Sequence, residues 1–192
     1  MSKTKKIAIT GLIGSGKSSV LAYLRSRGYT VFSADEYVSN LYETDKELAK
    51  KIQSLTSIDV LSDGYIDKIK LKEIFFLDLN LKQEIEEIVH QVVYDAIFND
   101  KIEATFYEIP LLFETNRQAM FDEVILVVTS RENQFERLMK FRHMGQDEIE
   151  QRLNAQISVD EKIRVSDVLL INNSSLEHLY YQIDQYLERR GL

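Results

Sequence analysis

Near the start of the chain, Gly11-Leu12-Ile13-Gly14-Ser15-Gly16-Lys17-Ser18 matches the pattern G-x-x-x-x-G-K-[ST] at every fixed position. Its flanks restrict what the chain can fold into. The apolar, β-prone run Ile7-Ala8-Ile9-Thr10 leads in, and a helix-forming run from Ser18 to Arg25 leads out. A strand, a glycine-rich loop and a helix in that order form a phosphate-binding loop. The glycines let the backbone curl so that N–H groups converge on phosphate oxygens. The following helix adds the positive end of its dipole. In this arrangement Lys17 reaches the β- and γ-phosphates and Ser18 holds Mg²⁺. The pattern therefore predicts binding of a nucleoside triphosphate.

The remaining strands and helices repeat an α/β order. Thr30–Ser33, Ala104–Ile109, Glu123–Val128 and Val168–Ile171 read as four further strands, with helical patterns between them. The predicted core is a five-stranded parallel sheet. Glu123–Val128 and Val168–Ile171 are continuous apolar runs, the pattern expected of strands buried on both faces. The gap between the second and third strands is far longer than a crossover helix needs. It contains helical stretches at Asp35–Tyr42, Asp45–Gln53, Ile69–Phe76 and Leu81–Phe98, and an Asp63-Gly64 turn. We read residues 36–100 as a helical insertion over the open edge of the sheet, and 1–35 with 101–192 as the nucleotide-binding core.

Composition narrows the function classes. The net charge of −7 argues against broad nucleic-acid binding. The chain has no cysteine, which removes disulfides, thiolate nucleophiles and Cys-based zinc sites and agrees with a cytoplasmic setting. No apolar run approaches the ~18 residues of a membrane span, and no signal-peptide core follows the basic N-terminus. No obligate protein partner is evident. An Asn-Lys-x-Asp guanine motif is absent, as is an apolar run ending in a magnesium aspartate, and both absences count against a GTPase switch.

Candidate chemistry lies at the carboxyl ends of the strands, where ligands of open parallel sheets sit. Asp35 follows the second strand. It either orients and deprotonates an acceptor hydroxyl or caps the helix that begins there, and the two roles are compatible. Glu108 ends the third strand and can hold a water of a Mg²⁺ shell, or be an ordinary strand-end acid. Arg131, Arg137, Lys140, Arg142, His143, Arg152, Lys162 and Arg164 gather around a helix–Gly145–helix pattern. That suits a lid over about 137–165 closing on triphosphate, with a solvated, ion-paired helix face as the plainer alternative. His90, inside the long insertion helix, is by itself more often a packed residue than a ligand.

Taken together, these segments resemble the dephospho-coenzyme A kinase family. The resemblance rests on the Gly11–Ser18 loop, Ala34-Asp35, Asp63-Gly64-Tyr65-Ile66-Asp67 and Ile85-Glu86-Glu87-Ile88-Val89-His90. It continues through Glu108-Ile109-Pro110-Leu111-Leu112-Phe113-Glu114, which is the most diagnostic segment, then Gln134-x-x-Arg137, Arg152-x-x-x-Gln156-x-Ser158 and Ser166–Asn173. Ser33, Gln91 and Phe141 stand where the family usually has Asp, Pro and a second lid arginine.

The resemblance implies a P-loop nucleoside-triphosphate hydrolase fold, adenylate-kinase-like, with a helical insertion and a helical lid. It implies ATP and Mg²⁺ as cofactors and transfer of the γ-phosphate to the ribose 3′-hydroxyl of dephospho-coenzyme A. Gly11, Ile13, Gly14, Ser15, Gly16, Lys17, Ser18 and Ser19 would hold the nucleotide, with Asn172 and Asn173 at the adenine. Asp35, His90, Pro110 and Leu111 would meet the acceptor. Lys17, Asp35, Arg137 and Arg142 would serve catalysis, with Ser18 and, through water, Glu108 at the metal. Another kinase of the same fold, or a nucleotide-binding regulator that transfers nothing, are the competing readings.

Overall fold

Ile7-Ala8-Ile9-Thr10 forms β1, buried along its whole length. The computed structural model in which it lies describes residues 5–99 and 104–192. Residues 1–4 of the basic N-terminus and the expected boundary at 100–101 fall outside them. The chain divides into two compact units, Met1–Phe32 with Ala104–Leu192, and Ser33–Glu103.

In the first unit, β1 leads through the glycine loop into α1 (Lys17–Ser26) and then β2 (Val31–Ser33). After the second unit come β5 (Phe106–Glu108), β6 (Glu123–Val128), α6 (Arg131–Arg142), α7 (Gln146–Asn154), α8 (Val159–Arg164), β7 (Val168–Ile171) and α9 (Leu176–Arg190). The sheet order is β2-β5-β1-β6-β7. β1 pairs in parallel with both β5 and β6, and β6 with β7. The glycine loop therefore leaves the central strand, at a point where the chain crosses to either side, which is where such sheets open a crevice.

One face of this sheet is covered by α1 and α9. Val20, Leu21 and Leu24 of α1 pack with Leu179, Ile183 and Leu187 of α9 on Ile7, Ile9, Phe106 and Ile125. Burial of each such side chain contributes about 1.5–3 kcal/mol. β6 is buried as its apolar run predicts, but β7 is not. β7 is an edge strand, with Leu169 40% and Ile171 48% exposed. An unbroken apolar run cannot distinguish a central strand from an edge strand. The Gln182 side chain bonds both the N–H and the C=O of Ile171 and so occupies part of that edge.

The second unit holds α2 (Ala34–Thr44), α3 (Lys46–Ser54), the two-stranded hairpin β3 (Leu61–Ser62) and β4 (Tyr65–Ile66), α4 (Lys68–Leu77) and α5 (Leu79–Phe98). Each helix starts on a capping side chain: Ser33, Asp45, Asp67 and Asp78. The Asp63-Gly64 turn joins two strands that the sequence reading leaves out. Both turn residues have positive φ, 52° and 83°, the geometry a two-residue hairpin needs. Leu41, Leu48, Ile52, Val60, Leu71, Ile85 and Val89 form this unit's own core. Among the described residues no helix is long and apolar enough to cross a membrane.

Lys162 departs from its expected place among solvent-facing lid cations. Its side chain is fully buried, with Nζ donating to Glu114 Oε1 at 2.7 Å and lying over the Phe113 ring. Removing one partner of a buried pair leaves an uncompensated charge. Lys162→Met should therefore lower unfolding free energy by about 3 kcal/mol. The same substitution in a Glu114→Gln background should cost much less, because no charge is stranded. Urea denaturation of the three variants measures both.

Candidate active site

The N-terminus of α1 differs from that of every other α-helix among the described residues. α2, α3, α4, α5, α6, α8 and α9 are each capped by a Ser or Asp side chain. α7 lacks a cap but has Asp147 and Glu148 in its first turn. α1 has neither a capping side chain nor an acid there. No side chain of the protein competes there for an anion drawn by the positive end of the helix dipole.

The residue before α1 is Gly16, with φ 100°. A Cβ at Gly16 would strike Asn172 Nδ2, so only glycine satisfies both the backbone and the space. Ser15 is buried, and its Oγ has no hydrogen-bond partner. An orphaned hydroxyl inside a curled loop fits a site built for phosphate oxygens. The Lys17 ammonium folds back to the Gly11 carbonyl at 2.8 Å and the Leu12 carbonyl at 3.3 Å, which holds a cation over the loop.

Side chains from the far end of the core tie this loop down. Asn172, just past β7, is buried and donates from Nδ2 to the Ser15 carbonyl at 2.9 Å. Arg137 on α6 donates to the Asn172 carbonyl at 2.9 Å and reaches Thr129 Oγ1 and the Ser15 carbonyl at 3.4 and 3.5 Å. The structure thus brings Ser15, Lys17, Arg137 and Asn172 together. The Asn172 N–H and C=O are used inside the protein, the N–H on Val128. Asn173 is more exposed, and its Oδ1 accepts from Ser130 N–H at 2.7 Å.

Glu108 is buried and stands opposite Ile9 in the β1–β5 register, on the strand beside the loop. Ser18 and Ser19 lie in the first turn of α1. Pro110 and Leu111 follow β5, and the Pro110 carbonyl accepts from Thr10 Oγ1 at 3.3 Å. No group of three or more His, Cys, Asp or Glu suited to a metal exists among the described residues.

In the second unit, Asp35 is exposed in the first turn of α2 and is not the cap, because Ser33 Oγ accepts from Glu36 N–H. His90 is half-buried on α5, and its burial holds its pKa below the usual histidine value. Of the basic cluster, Arg131 pairs with Glu150 and Arg152 with Glu148. Arg142 is exposed in the last turn of α6. The break between α6 and α7 runs from His143, with φ 51°, to the expected Gly145, which precedes α7.

Gln134 and Gln156 stand in two of the segments that carry the resemblance, but sequence reasoning gives them no role; their side chains bond the two backbone groups of Ile13 inside the loop.

Gly16→Ala should leave the protein folded while displacing the loop from Asn172. A shift on the order of 1 Å at such a site costs about 10²-fold. Calorimetric titration with a nucleoside triphosphate should show that loss of affinity, with the circular dichroism spectrum unchanged.

The family model for dephospho-CoA kinase matches residues 5–178. A dephospho-CoA kinase of Listeria monocytogenes is 32% identical over 193 aligned positions, covering 96% of each chain. Among solved structures, a Thermus thermophilus protein superposes with a TM-score of 0.78 at 31% identity, over 96% of this chain and 97% of that one. The dephospho-CoA kinase of Campylobacter jejuni superposes with a TM-score of 0.68 at 25% identity, over 97% and 98%. Matched from the strand before the glycine loop to the helix after β7, and by relatives of the same length, the chain belongs to the dephospho-CoA kinase family.

Proposed function

We propose that the protein transfers the γ-phosphate of ATP to the ribose 3′-hydroxyl of dephospho-coenzyme A, giving coenzyme A and ADP. The observation that carries the reading is the uncapped, glycine-preceded N-terminus of α1 under the Lys17 ammonium, in a chain of this family. The acceptor oxygen attacks Pγ, the bond from Pγ to the bridging oxygen of ADP breaks, and the hydroxyl proton passes to the Asp35 carboxylate. Gly11, Ile13, Gly14, Ser15, Gly16, Ser18 and Ser19 hold the phosphates. Lys17 and Arg137 offset the charge that spreads over the transferred group, and Arg142 joins them on closure. Mg²⁺, held by the Ser18 hydroxyl and through water by Glu108, would supply charge neutralisation between the β- and γ-phosphates.

In this reading the helical second unit receives the acceptor, with His90 neutral at pH 7 because burial disfavours its charged form. Pro110 and Leu111 contribute from the core. Asn172 and Asn173 border the adenine, and α6 with α7 forms the lid. The lack of cysteine agrees with work in the cytoplasm.

A coupled assay of ADP release, with and without dephospho-coenzyme A, tests the reading. Release should depend on that acceptor, and other alcohols and nucleotides should not replace it. Lys17→Ala should stay folded and lose turnover by roughly 10²–10³-fold, the scale of a lost charge-stabilising donor. Near-normal turnover in that variant would refute the phosphate role of the loop.

Asp35→Asn separates general-base help from a passive role. With Ser33 as the cap, the substitution has no helix start to disturb. Turnover should fall by about 10²–10⁴-fold with ATP affinity nearly unchanged. An unaffected kcat would remove Asp35 from the chemistry.

A further inference from the structure

Ile13 occupies a variable position of the glycine loop, yet both of its backbone polar groups are claimed by side chains from elsewhere. Its N–H donates to Gln156 Oε1 at 3.0 Å, and its C=O accepts from Gln134 Nε2 at 2.9 Å. Gln134 is on α6, the first arm of the α6–α7 hairpin, and Gln156 follows α7, the second arm. The two arms therefore grip one loop residue from either side.

Peptide planarity gives this grip a consequence. The Ile13 N–H shares a plane with the Leu12 C=O, and the two point in opposite directions. Aiming the N–H at Gln156 aims the Leu12 carbonyl into the loop, where it accepts from Lys17 Nζ and Ser15 N–H. The Ile13 C=O likewise shares a plane with the Gly14 N–H. Aiming that carbonyl at Gln134 turns the Gly14 N–H away from α6. Two successive peptide planes, with the seat of Lys17 on one and a loop donor on the other, are set by two glutamines.

Packing makes the hairpin and the loop move together. Leu12 and Ile13 rest on the hairpin's own core of Leu138, Met144, Ile149 and Leu153. The second arm is also anchored: next to Gln156, the Ile157 N–H donates to Glu114 Oε1 at 3.1 Å, the oxygen that holds buried Lys162.

We propose that Gln134 and Gln156 are positioning residues that couple the placement of the α6–α7 hairpin to the presentation of the phosphate loop. The proposal rests on the ATP-binding role of the loop proposed above. Coupling of this kind is reciprocal, so triphosphate in the loop must also steady the hairpin.

Gln134→Met and Gln156→Met keep side-chain length and remove the bonds. Calorimetry with MgATP, steady-state kinetics and amide hydrogen exchange of 131–154 with and without ATP are the measurements. In the wild type, ATP should slow exchange across α6 and α7. In each variant that response should be lost and ATP affinity should fall about tenfold, the scale of one lost hydrogen bond. KM for dephospho-coenzyme A and the melting temperature without ATP should stay close to wild type.

Variants with wild-type ATP affinity and a wild-type exchange response would overturn the coupling alone. So would variants that lose affinity for both substrates together with thermal stability, since that marks a merely structural role. If buried Gln134 does not tolerate Met, Gln156→Met decides by itself, because it acts on the other peptide plane. A wild type that fails to bind ATP would overturn the coupling and the kinase reading together.

Discussion

The start of α1 carries no capping side chain and no acid, and much of the core is arranged around that fact. Every other α-helix among the described residues starts on a capping hydroxyl or carboxylate, or has acids in its first turn. A side chain in that role at α1 would compete with phosphate for the same donors. Forgoing a cap costs stability, and the surrounding contacts offset it. Asn172 holds the Ser15 carbonyl, Arg137 holds Asn172, and α1 buries Val20, Leu21 and Leu24 against β1 and α9. The loop is thus shaped by the protein itself, as pre-organised electrostatic catalysis requires.

The cations after β6 differ in function although the sequence presents them as one cluster. Lys162 is interior and belongs to Glu114. Arg131 and Arg152 are engaged with Glu150 and Glu148 on the hairpin surface, where such exposed pairs contribute little to stability. Arg137 alone of these is directed at the loop, through Asn172 and the Ser15 carbonyl. A positively charged stretch therefore contains a structural pair, solvated pairs and one residue at the glycine loop.

Pro110-Leu111-Leu112-Phe113-Glu114 gains a physical meaning from the same contacts. Leu112 and Phe113 are buried, and Phe113 lies under the Lys162 ammonium. Glu114 joins Lys162 and the Ile157 N–H on one oxygen. The most diagnostic segment of the family is therefore a joint between the loop after β5 and the second arm of the hairpin. Its apolar and acidic residues serve packing and anchoring at that joint.

By itself the sequence determined the local elements and the kind of ligand. β1, β6 and β7 run over the expected residues, the Gly-rich loop lies between strand and helix, and Asp63-Gly64 is a turn, because period, propensity and turn chemistry act over a few neighbours. What depends on partners distant in the chain was decided only by the fold. An apolar run became the half-exposed edge strand β7, a lysine read as a lid cation became a core residue, and Ser33 took the cap that the sequence also offered to Asp35. Asn172 lies 157 residues from the Ser15 carbonyl it holds, and Gln156 lies 143 residues from Ile13. No local pattern records such a bond, since its energy depends on the position to which the sheet brings its two ends.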